Sequence, residues 1–68
     1  MNMQKIKDDL MQEVIAMHDL QMLTDVVAAD ACLNIDMADD SEVEEWGYMK
    51  THEAVDMILD EMTIRVIR

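Results

Sequence analysis

This chain has no proline and only one glycine, Gly47, in 68 residues. Proline and glycine interrupt helices most strongly, one by removing a backbone donor and clashing, the other by its entropic cost. Without them few turn signals remain, so helix is favoured along the whole chain. The apolar spacing then sets where each helix lies.

Met3, Ile6, Leu10, Val14 and Met17 recur at helical spacing, and Asn2 suits the cap before them. Met11, Ile15 and Met22 form a second stripe beside the first, with His18 between them. The apolar face is therefore wide, about half the helix circumference at ~100° per residue. A face this wide touches two neighbours, either two helices of its own chain or one helix and a second subunit. Met11, Ile15 and Met22 are the expected homodimer contacts. Asp8, Asp9, Gln12 and Asp19 fall on the other side.

Near Thr24 the pattern shifts. A second helix is expected from Thr24 or Asp25 to about Asn34, through Val26, Val27, Ala29, Ala31 and Leu33, in preference to one long helix from Asn2. Leu33, Ile35 and Met37 alternate with Asn34 and Asp36, which permits a short strand whose one candidate mate is Ile64-Arg65-Val66. Residues 36–41 read as a loop. Ser41-Glu42-Val43-Glu44 fits a capping box, with Glu42, Glu44 and Glu45 in the first turn where the helix dipole favours acids. Gly47 would end this short helix in a left-handed cap. Thr51 would cap the last helix, with Val55, Ile58, Leu59, Met62 and Val66 inward. Arg65 and Arg68 suit its C-terminal dipole. Ile64 falls near the acidic side, where either the helix frays or a partner binds. The expectation is one all-α domain over residues 1–68, a small bundle of three to four short helices, completed by homodimerisation.

A chain of this size buries only about 60% of its unfolded surface, so the core is marginal. Hydrophobic residues still make up 51%, too many for a disordered acidic tail. The aromatics are Trp46 and Tyr48 alone, so the core must be Leu, Ile, Val, Ala and Met. The nine methionines fill irregular gaps but specify a core weakly.

Charge limits function more than it limits fold. Between Lys7 and Lys50 there is no Lys or Arg, while carboxylates recur throughout. The formal charge is −11. Such a chain repels itself, disfavours nucleic acid and anionic membrane as direct partners, and favours a basic protein. Cys32 is the one cysteine, so no internal disulfide forms and a reducing, cytoplasmic setting is expected. The charged N-terminus lacks the apolar run of a signal peptide, and no stretch reaches the ~20 apolar residues of a spanning helix.

The densest acidic segment is Asp36, Asp39, Asp40, Glu42, Glu44 and Glu45. Glu53, Asp56 and Asp60 recur at i, i+3 and i+7, rising ~4.5 and ~6 Å along a helix, a repeat that can imitate a row of phosphates. Tyr48, beside the acidic segment, is the expected aromatic contact, whereas Trp46 is the expected core plug. These residues could instead form only a solvated face.

Metal and catalytic patterns are not met. An EF-hand loop begun at Asp36 would place Ala38, Ser41 and Gly47 where an oxygen ligand, Gly and Glu are required. Cys32, His18 and His52 match no zinc spacing. No Glu-x-x-His or His-Glu-x-x-His occurs. Ser41, the sole serine, reads as a cap. No enzyme, cofactor or metal is expected.

Residues 33–58, Leu-Asn-Ile-Asp-Met-Ala-Asp-Asp-Ser-Glu-Val-Glu through Thr-His-Glu-Ala-Val-Asp-Met-Ile, resemble the second half of acyl carrier proteins. Those are small acidic four-helix bundles that dock on basic enzyme surfaces. The family carries phosphopantetheine on the Ser of Asp-Ser-Leu. Here the matching place reads His18-Asp19-Leu20, and the first half is too short for the family's long first loop. The resemblance implies no carrier function. It illustrates that acidic helices can dock on basic partners.

The expected function is that of a small non-catalytic interaction protein, which occupies a basic, nucleic-acid-handling surface of a partner protein and inhibits it. Phage-encoded inhibitors of host defence, anti-CRISPR or anti-restriction proteins, share this profile of size and charge. The alternatives are an antitoxin-like neutraliser of a basic toxin, a regulatory helical dimer acting through its apolar face, and a cation-binding module.

Overall fold

The computed structural model describes the backbone from Asn2 to Ile67 and the side chains from Asn2 to Met62. Four helices follow one another: α1 Met3–Asp19, α2 Asp25–Asp36, α3 Asp40–Gly47 and α4 Thr51–Ile67. No strand occurs among the described residues. The Cα radius of gyration is 11.3 Å, close to the ~11 Å of a compact chain this long.

Helix α1 starts as its sequence dictates. The Asn2 side chain accepts the Lys5 N–H at 3.1 Å and satisfies a donor the first turn leaves over. Leu10 and Val14 are buried, with Met3, Ile6, Met11 and Met17 packed around them. The wide face is used within the chain, because α1 packs against α2, α3 and α4. Ile15, at the far edge of that face, remains more than half exposed, and Met22, expected on the same stripe, lies in the turn beyond the end of α1 and is exposed too. Residues of all four helices thus share one core within the chain.

The break between α1 and α2 is a Schellman turn. The Met22 N–H reaches back to the Met17 carbonyl at 2.9 Å, and the Gln21 N–H to the His18 carbonyl at 2.9 Å. Gln21 takes the left-handed conformation, φ 63°, that glycine usually supplies here. Thr24 then caps α2, its hydroxyl accepting the Val27 N–H at 3.3 Å. His18 Nε2 hydrogen-bonds the Asp25 carboxylate, tying the end of α1 to the start of α2.

The short strand that the alternation over Leu33–Met37 permits does not form: residues 33–36 are helix and Met37 is its C-cap. Ile35 lies one turn beyond Ala31, and both are fully buried. A lone strand would leave its backbone unpaired, whereas the helix satisfies it internally. The candidate mate Ile64-Arg65-Val66 belongs to the backbone of α4. The 36–41 loop accordingly shrinks to Met37–Asp39. Lys7 Nζ closes the end of α2 by donating to the Asp36 carbonyl at 2.8 Å. It supplies the cation that the last turn of α2 lacks.

Three caps differ from expectation. Asp39, not Ser41, caps α3, its carboxylate accepting the Glu42 N–H at 2.9 Å. Asp39 is extended while Ser41 is already helical, so the capping box has no Ncap at Ser41. Gly47 does not turn left-handed. Helix α3 ends through short i→i+3 bonds, from Tyr48 N–H to Glu45 O and from Met49 N–H to Trp46 O. Thr51 is the first helical residue of α4, and the Lys50 carbonyl accepts the first bond, from the Ala54 N–H at 3.0 Å.

Val43 and Trp46 from α3, and Ala54, Val55, Ile58 and Met62 from α4, complete the core with Ala31 and Ile35. Leu59 is only partly buried. The side chains of Val66, Ile64, Arg65 and Arg68 lie outside the described residues, so their expected roles do too.

Candidate partner-binding surface

Every carboxylate except the half-buried Glu13 is exposed. Lys5 pairs with Asp9 at 3.2 Å one turn along α1, the one Lys–carboxylate bridge among the described residues. His18 lies between Asp19, at 3.9 Å, and Asp25. The charge deficit is therefore displayed at the surface and little neutralised within the chain.

The fold gathers part of the acidic set around one concavity. An open groove of about 500 Å³ lies between α2, α3 and α4, lined by Asn34, Glu42, Glu45, Trp46, Met57, Ile58 and Glu61. Glu42 and Glu45 stand three apart on α3, so both reach one side. Glu61 arrives from α4, sixteen positions beyond Glu45 in the sequence. Trp46 is 8% exposed and gives the groove an aromatic wall while its bulk fills the core.

Of this lining, Glu42 and Glu45 are expected partner contacts and Trp46 an expected core plug, whereas Glu61 and Asn34 come only from the fold. A signal for Glu61 was present. It stands three and four residues after Ile58 and Met57, so it borders the inward stripe of α4.

The other expected contacts are dispersed. Asp36, Asp40 and Glu44 are exposed, and none lines the groove. Asp39 is exposed but committed to capping α3. Tyr48, at the C-cap of α3, is 77% exposed. Glu53, Asp56 and Asp60 are all exposed on α4, along a line that does not enter the groove. Cys32 is half-buried on α2, and burial pushes its thiol pKa up, away from the reactive thiolate.

Among the described residues no three His, Cys, Asp or Glu side chains converge as a metal site. No described helix is long and apolar enough to cross a membrane. Comparison with protein-family models, with curated proteins and with solved structures gives no match.

Proposed function

We propose that this protein is a non-catalytic acidic binding protein that occupies a basic, nucleic-acid-handling surface of a partner protein and inhibits it. The observation carrying this reading is the groove, where carboxylates from two helices meet beside an aromatic wall. A guanidinium fits such chemistry, because its planar fork pairs with carboxylates and its face stacks on aromatic rings. Long-range attraction to a charge of −11 would steer the encounter, and short contacts in the groove would fix it. Glu53, Asp56 and Asp60 extend the negative surface along α4.

The profile agrees with phage-type inhibitors of host defence by analogy of size and charge. An antitoxin-like neutraliser would use the same surface. The test is capture of a partner with the native chain and with a Glu42→Lys, Glu45→Lys, Glu61→Lys chain, followed by assay of the partner's nucleic-acid binding. Charge reversal is expected to weaken capture about tenfold or more, since each lost charged hydrogen bond costs ~1.5–3 kcal/mol. Equal capture by both chains, or a partner that still binds nucleic acid, would sink the proposal.

The exposure of Ile15 on α1, and of Met22 in the turn that follows, favours a second reading, a homodimer through this end of α1 with Met11. Salt separates the two. Screening weakens an acidic–basic complex and strengthens association of two like-charged copies.

A further inference from the structure

Helix α2 is apolar on two sides. Val27, Ala28, Ala31 and Ile35 face the core. Val26, Leu33 and Met37 are 70%, 55% and 75% exposed. At ~100° per residue these three fall within about 20° of one line, spanning ~16 Å. Single exposed apolar residues are ordinary, but these three, with Met37 at the C-cap, form a ridge, a row that only Asp30 interrupts, between Val26 and Leu33. This ridge adds nothing to the chain's own core.

Its acidic residues indicate what covers it. Asp25, Asp30 and Asp36 are exposed on the same helix, which carries no Lys or Arg. The nearest cation recorded there, Lys7 Nζ, is held by the Asp36 carbonyl. A second copy on this face would bring two sets of these carboxylates together and double a charge of −11. A basic amphipathic segment meets both the ridge and its carboxylates.

We propose that the outward face of α2 docks a basic amphipathic helix of a partner protein, its apolar stripe seated on Val26, Leu33 and Met37, one Lys or Arg meeting Asp30 within the row and its basic flank facing Asp25 and Asp36. Asn34, next to Leu33, belongs to the groove wall, so ridge and groove adjoin on one helix. The inference shares with the proposed function only the sign of the partner's charge.

The probe is a synthetic amphipathic Leu/Lys helix titrated into isotope-labelled protein while backbone amide shifts are followed. A scrambled peptide of the same composition is the control. Shifts centred on residues 26–37 are expected, with tighter binding than the scrambled peptide. Leu33→Gln with Met37→Gln should weaken binding about tenfold or more at unchanged net charge and helicity. Val26→Ser, a second exposed position, should weaken it less. Shifts centred elsewhere, equal binding of the scrambled peptide, or affinity unchanged by these variants would overturn the proposal. So would sedimentation showing self-association that Leu33→Gln with Met37→Gln abolishes. Because none of these variants touches Glu42, Glu45 or Glu61, failure of the ridge and failure of the groove are told apart.

Discussion

At Gln21 the backbone adopts a conformation that costs an L-residue roughly 1–2 kcal/mol. Two carbonyls of α1 gain partners by it, which offsets the cost. Gln21→Gly should remove the strain at the expense of a looser unfolded chain, for a net gain of about 0.5–1 kcal/mol. Thermal unfolding would register this as a rise of several degrees; no rise would mean that Gln21 is held without strain. Asp39 and Asp40 are neighbours with the same side chain and different duties. Asp39→Ala removes the cap of α3 and should cost ~1 kcal/mol in urea unfolding, whereas Asp40→Ala should change stability by less than about 0.5 kcal/mol. Equal effects would contradict the assigned cap. For this reason a charge-reversal test of partner binding should spare Asp39.

Among the elements, α1 and α4 each pack against all three others, and α1 is the more heavily engaged of the two. Leu10, 2% exposed at its centre, is expected to cost ~3 kcal/mol when cut to Ala. Ile15→Ala, on the same helix but more than half exposed, should cost below about 1 kcal/mol. Chemical denaturation of the pair measures how one-sided the helix is; a large cost at Ile15 would place that residue in an interface already formed in solution. Helix α3 has eight residues and is too short to persist alone. Val43 and Trp46 hold it to the core, and its stability is tertiary in origin.

For the whole molecule, a charge of −11 opposes compaction and steers cationic partners from the same distance. Moderate salt should therefore raise the Tm of the free protein and weaken the complex with a basic partner. A Tm that falls with salt would mean attractive pairs outweigh the repulsion. The single Lys–carboxylate bridge among the described residues argues for the first outcome.

By itself the sequence determined the helical class, the core spacing within α1, the cap at Asn2 and the exposed negative charge, and it favoured a break near Thr24 without fixing it. All of these rest on local spacing or composition, so few distant contacts were needed. The left-handed turn at Gln21 carried no glycine to announce it. The alternation Leu33–Ile35–Met37 satisfied strand and helix alike until Ile35 found a place in the core. The capping-box spacing at Ser41 pointed two residues past the true cap, Asp39, and Val43 and Trp46 pack α3 into the core from that earlier start. The gathering of Glu42, Glu45 and Glu61 around Trp46, and the outward turn of Val26, Leu33 and Met37, depended on how α2, α3 and α4 cross. Those arrangements join residues far apart in the chain, and burial of the shared core, not any local preference, brings them into place.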